Sequence, residues 1–207
     1  MERLPSTRQN LLKVRRRIIL AGEGLSLLKK KREALVRTFL SHVTERVRYH
    51  DLMEKAGREA AGPLAGALAA EGLSGLATYG WAARRELALD VKKEVIWGVE
   101  VATFQPAAIR REFRGRGFDP DGAGVEVSLA AGKFEELLQL IFETAASEIR
   151  LRNLGEEIRK TSRRINALEG ILIPAMETRE KKVSEALEES ERDERQRYKG
   201  LIKRRGR

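Results

Sequence analysis

Residues 11–39 read LLKVRRRIILAGEGLSLLKKKREALVRTF. Within them Leu11, Val14, Ile18, Ala21, Leu25 and Leu28 recur at alternating steps of three and four. Arg32 fills one slot, and Leu35 and Phe39 resume the pattern, which then drifts to Val43 and Val47. Such spacing places one narrow apolar seam along a helix, the a/d pattern of a coiled coil. No proline interrupts the stretch between Pro5 and Pro63, and Glu33→Arg37, Asp51→Lys55 and Glu54→Arg58 stand at the supportive helical spacing. Just upstream, Ser6 with Gln9 fits a capping box. About 50 helical residues extend roughly 75 Å, far beyond an ordinary globular helix.

Toward the other end a second seam reads Leu151, Leu154, Ile158, Thr161, Ile165, Leu168, Leu172 and Ala175, then shifts to Met176, Val183 and Leu187. The pairs Glu177→Lys181, Glu188→Arg192, Glu191→Arg195 and Asp193→Arg197 decorate its outside. An upstream run, Phe134, Leu137, Leu138, Ile141 and Ala145, predicts that this helix starts near Lys133. Pro174 removes a backbone donor and predicts a bend, with a true break as the alternative. Neither helix buries its seam alone. The simplest partner is the other end of the same chain folded back antiparallel; a homodimer is the alternative.

Composition agrees. Of 207 residues, 35% are charged, 5% aromatic and 42% hydrophobic, which suits long helices and argues against compact all-β and Rossmann-like folds. Net charge is +10, unevenly spread: residues 1–58 carry +9, residues 59–145 carry −4 and residues 146–207 carry +5. A basic excess points to an acidic partner, whether protein surface, anionic lipid or nucleic acid. There is no cysteine, which excludes a disulfide framework and a thiolate zinc site. His42 and His50 are the only imidazoles, so a His-based metal centre is not expected; His42 reads as a core-edge residue and His50 as exposed. Residues 1–8 carry no apolar run of a secretory signal.

The middle differs. Ala60–Ala83 is rich in Ala and Gly, with Glu71 in its centre and Arg84-Arg85 at its end. Its length would allow a membrane span, but its residues are weakly apolar and Glu71 falls mid-segment, so a connecting helix is the better reading. Glu94–Phe104 is the best strand in the chain, and Gly124–Leu129 is a second candidate after the turn-like Asp119-Pro120-Asp121-Gly122. Together they predict a small β-hairpin-like head, stable only if packed on helix ends or another subunit. Between them Arg110, Arg111, Arg114 and Arg116, with Phe113 and Phe118, read as a basic aromatic loop. The expected fold is thus mainly α: a long antiparallel two-helix coiled coil of residues 5–58 and 133–203, with a connecting helix and β-hairpin head at 59–132.

Catalytic signatures do not emerge. There is no P-loop, no G-x-G-x-x-G and no G-x-S-x-G. Glu156-Glu157 and Glu188-Glu189 sit at i,i+1, where helical side chains diverge. The runs Arg15-Arg16-Arg17 and Lys29-Lys30-Lys31-Arg32 wrap around a helix and read as solvated surface, as contact with acidic protein, or as a nucleic-acid footprint.

Several blocks resemble the D subunit of the vacuolar/archaeal-type (V/A-type) rotary ATPases. They are Pro5-Ser6-Thr7-Arg8-Gln9-Asn10-Leu11-Leu12, Leu27–Leu35, and Asn153-Leu154-Gly155-Glu156-Glu157-Ile158 continuing to Glu169 with Ile173-Pro174 after it. Val95-Ile96-Trp97-Gly98 is similar to the start of that family's head. The resemblance is good over residues 5–60 and 133–190 and poor over 60–94 and 105–130. It implies a non-catalytic central-stalk rotor component that binds no nucleotide or other cofactor, peripheral on the cytoplasmic side of a membrane. The implied partners are the catalytic and regulatory subunits of the hexamer, a small stalk protein (the F subunit), and a socket subunit on the membrane ring, with neither nucleic-acid contact nor membrane insertion. Within the resembling blocks the candidate partner contacts are Arg8, Asn10, Arg15, Arg16, Lys30, Arg163, Arg164, Asn166, Glu169, Pro174 and, in the head, Trp97. The competing reading is a basic coiled-coil protein that binds nucleic acid.

Overall fold

A computed structural model describes residues 7–87, 89–106, 109–119 and 122–205. Helix α1 spans Arg8–Ala82, strands β1 and β2 span Leu89–Ile96 and Val99–Pro106, α2 spans Val125–Ala167, and α3 spans Ile173–Arg205. A short 3-10 turn, Phe113–Arg116, precedes α2, and a π turn, Leu168–Leu172, joins α2 to α3. The long N-terminal and C-terminal helices pack on each other within the chain. The chain divides into two compact units: Met1–Ala34 with Ile158–Arg207, and Leu35–Glu157.

The first unit pairs the start of α1 with the end of α2 and with α3. The cap of α1 is Thr7, whose Oγ1 accepts the Asn10 N–H at 3.3 Å while its carbonyl accepts Leu11 N–H at 3.0 Å. The Ser6–Gln9 capping box involves a residue outside the described ones. Val14 and Ile165 are buried, and Thr161 is fully so. Leu11, Ile18, Ala21, Leu25 and Leu28 are half-buried, as the seam predicts. Across it, Arg8 meets Glu191 at 2.7 Å, Arg15 meets Glu180 at 2.8 Å and Lys29 meets Glu169 at 2.8 Å. Partner numbers fall as α1 numbers rise, so the pairing is antiparallel.

The second seam departs from its predicted course. Leu172 and Ala175 are exposed; the half-buried apolar positions after Leu168 are Ile173 and then Met176, Val183 and Leu187, the three to which the predicted seam shifts. The step from Leu168 to Ile173 is five residues because the Ile173 N–H donates to Leu168 O, the i→i+5 bond of a π turn. Pro174 therefore does not break the helix. It follows the π turn inside one continuous helical run, and the locally widened bonding just before it accommodates a residue that lacks a backbone donor.

In the second unit Leu35 and Leu154 are fully buried, and Phe39 lies against Gly155. Val47, expected on the seam, is exposed at 48%. His42 is half-buried, as expected of a core-edge residue; His50, expected to be exposed, is half-buried too. Helix α1 continues past Pro63 to Ala82, with a kink at Gly72, whose φ of 69° suits only glycine. The Ala/Gly-rich segment is helical because small residues let α1 and α2 approach closely. Ala56, Ala60 and Ala67 are buried, and a Cβ on Gly66 would lie 2.8 Å from Glu126 Oε2. Ala67, Ala123, Val127 and Ala130 form a small core, with Leu76, Tyr79 and Phe118 against it. Tyr79 and Phe118 meet edge to face at 5.5 Å.

The head is a hairpin, but a different one from that expected. Glu94–Phe104 is not one strand: it contains the turn and parts of both β1 and β2, which pair antiparallel with Val95 opposite Glu100 and Ile96 opposite Val99. Trp97 and Gly98 have φ of 52° and 80°, the doubly positive signature of a type I′ turn. The second strand candidate is helical from Val125. Val127 and Ser128 N–H groups donate to Gly124 O, and Ala123, Val127 and Ala130 are buried at helical spacing while Val125 is 82% exposed. Burial at that spacing overrides the β-propensity of two valines. Helix α2 also starts upstream of Lys133, and Phe134 and Ile141, expected on its buried face, are exposed.

Candidate partner-contact surface

Eleven residues were singled out by sequence as partner contacts, and the structure sorts them. Arg8, Arg15 and Glu169 engage in the cross-helix pairs of the first unit. The Arg8 pair holds the Glu191 carboxyl below its usual range, through hydrogen bonding first and charge attraction second. Arg16, Lys30, Arg163, Arg164, Asn166 and Pro174 are exposed on α1, α2 and α3. Asn10 is half-buried in the first turn of α1. Trp97 stands apart in the second unit, 59% exposed at the hairpin tip, and is the only described non-glycine residue with positive φ. That conformation is costly for a bulky side chain.

The predicted basic loop is not a free basic surface. Arg111 and Arg116 turn inward onto Glu135, which is buried on α2. Arg111 Nε donates to Glu135 Oε1 at 2.8 Å, and both the Arg111 backbone N–H and Arg116 Nη2 donate to Oε2 at 3.2 Å. Arg111 Nη1 reaches Ala83 O at 2.9 Å and Arg116 Nη1 reaches Ser128 O at 3.0 Å. Burial pushes the Glu135 carboxyl up, but the hydrogen bonds of the two guanidiniums outweigh it and leave it below the ordinary range. Gly117 closes the loop against α1 with φ 85°, where a Cβ would collide with Ala82 O. Arg110 and Arg114 remain exposed.

Two further contacts join elements of the second unit. Asn153 Nδ2 donates to Glu100 O at 3.1 Å, tying α2 to β2, where Val99 and Val101 are buried. Arg150 Nη1 lies 3.4 Å from Glu45 Oε2, which is 2.9 Å from His42 Nδ1. Sequence reasoning passed over Glu135 and Asn153. Glu135 lies between Phe134 and Leu137, which drew attention to an apolar face, and Asn153 had only its place in a resembling block to mark it.

A cleft of about 270 Å³ beside Arg84, Arg85, Arg111 and Glu135 holds neither histidine nor hydroxyl nucleophile. Among the described residues there is no group of three or more His, Asp or Glu able to hold a metal, and no helix is long and apolar enough to cross a membrane.

A family model for the D subunit of ATP synthase matches residues 10–203. The chain belongs to the ATP synthase D-subunit family. It is 37% identical over 207 residues to the V-type ATP synthase D subunit of Anaeromyxobacter sp. (strain Fw109-5), covering 100% of this chain and 96% of that one. It is 35% identical over 191 residues to the A-type ATP synthase D subunit of Pyrococcus horikoshii, covering 92% and 89%. It is 32% identical over 205 residues to the V-type ATP synthase D subunit of Thermus thermophilus, covering 97% and 88%. The family match spans the hairpin and the Glu135 cluster as well as the long helices, including residues 60–94 and 105–130, where motif blocks alone carried little resemblance.

Proposed function

We propose that this chain is the central-stalk rotor of a V/A-type ATP synthase or ATPase, passing torque between a catalytic hexamer and an ion-translocating membrane ring. The observation that carries the reading is the match to the D-subunit family over residues 10–203, together with two long helices packed along a narrow seam. In this role residues 5–58 and 133–203 form the shaft and residues 59–132 the head and base. The free ends of the helix pair enter the hexamer, and the middle of the chain meets the small F subunit of the stalk and the socket subunit on the ring.

A non-catalytic role fits the side-chain inventory. The exposed cations Arg16, Lys30, Arg163 and Arg164 meet acidic patches on the surrounding subunits. Solvated charge contacts are individually weak and can be exchanged at each step of rotation. Asn166, Pro174 and Trp97 complete the contact set with Arg8, Asn10, Arg15 and Glu169. The irregular turn just before Pro174 makes the shaft eccentric, so that each catalytic interface meets a different face in turn.

Reconstitution tests this. Added to the other purified subunits, the chain enters the complex at less than one copy per catalytic subunit and couples ATP hydrolysis to ion transport. A complex that assembles and couples equally well without it contradicts the reading. Tight DNA binding that survives moderate salt would favour the nucleic-acid alternative, since electrostatic binding falls steeply with salt.

A further inference from the structure

In the first unit, the Arg15–Glu180 and Lys29–Glu169 pairs bracket one level of the helix pair. Midway between them lie Gly22 on α1 and Pro174 on α3. Gly24 is two residues further along α1, and Gly170 lies within the π turn. A Cβ on Gly22, Gly24 or Gly170 would meet no heavy atom within 4 Å. None of the three has positive φ. Packing and backbone conformation therefore give no reason for glycine at these positions, and each weakens its helix about fivefold against alanine.

The opposing helix is weakened at the same level by different means. The π turn replaces regular bonding over Leu168–Leu172, and Pro174 lacks a donor. Burial does little to compensate: Ile171 is 72% and Leu172 46% exposed, and no residue of the π turn is buried. Few buried contacts and irregular bonding mark the low-stability end of a structure.

We propose that Gly22–Gly24 and Leu168–Pro174 form a compliant joint, a level at which both helices open and twist more readily than the heptads on either side. The joint does not rest on the rotor reading.

Amide hydrogen exchange on the full chain tests it. Residues 20–26 and 169–175 are expected to exchange about tenfold or more faster than residues 28–34 and 158–165. Gly22→Ala, Gly24→Ala and Gly170→Ala should each slow exchange in their own turn by about fivefold. Equal exchange in the bracketed and flanking segments of the unmodified chain overturns the proposal, whatever the variants do. So does an unchanged rate in all three alanine variants. If the exchange contrast holds while the chain fails to rotate in an assembled complex, the joint stands and the rotor reading falls.

Discussion

Arg111 reaches Glu135 twice, through its side-chain Nε to Oε1 at 2.8 Å and through its backbone N–H to Oε2 at 3.2 Å. One residue thus fixes both the position and the orientation of a buried carboxylate. Arg116 adds a third bond, and both guanidiniums pass on to backbone carbonyls of Ala83 and Ser128. The segment after the hairpin is stitched to the end of α1 and the start of α2 by one shared acid.

Removing that acid should be severe. Glu135→Gln keeps the shape but leaves two guanidiniums without their counter-charge, and breaking a buried pair from one side costs about 3–5 kcal/mol. Urea unfolding of the variant should show that loss. A change below about 1 kcal/mol would mean that the cluster is solvated and contributes little.

The same acid sets an acid limb. The Glu135 carboxyl titrates below its unfolded value, so its contribution is complete above the ordinary carboxylate pKa of about 4.3 and is lost as pH falls through the lower folded value. Glu54, Glu59 and Glu191 are lowered in the same direction by their basic partners. Stability measured from pH 7 downward should stay level and then fall below about pH 4–5. Glu135→Gln should show a shallower fall; an unchanged slope would remove Glu135 from the account.

Thr161 is fully buried in the seam of the first unit, and its hydroxyl has no hydrogen-bond partner among the described residues. Thr161→Val should raise stability by about 1 kcal/mol, because an unsatisfied hydroxyl is replaced by a methyl group of similar size. A thermal-unfolding midpoint that falls instead would show that the hydroxyl finds a partner in solution.

At the hairpin tip, Trp97→Gly should relieve the cost of positive φ and raise hairpin stability by about 1 kcal/mol. If Trp97 contacts a partner, the same variant should lower ATP-driven turnover of the assembled complex. A variant that is both more stable and fully active would remove Trp97 from the contact set.

Much of this was legible in the sequence, for reasons specific to each element. The seam from Leu11 to Val43 is written in its three–four spacing, because each helix buries only that line. The slip at Leu168 was hidden, since Leu172 stands at the spacing a continuing α-helix would use and only the π turn moves it out. The hairpin was recognised by its β-branched residues, but Trp97 concealed its turn, because tryptophan is rarely found at positive φ. Val125 and Val127 alternate like a strand, yet Ala67 and Ala130 draw Val127 into a helical core. The Glu135 cluster joins residues about twenty positions apart, and no local pattern announces such a pairing.

The central claim is that this chain turns inside a hexamer. The sequence has no cysteine, so Glu94→Cys on the exposed hairpin gives a single attachment point for a probe. Rotation of that probe should be observed on surface-held complexes supplied with ATP. The account predicts unidirectional turning with three pauses per revolution; a probe that stays fixed while the hexamer hydrolyses ATP would contradict it.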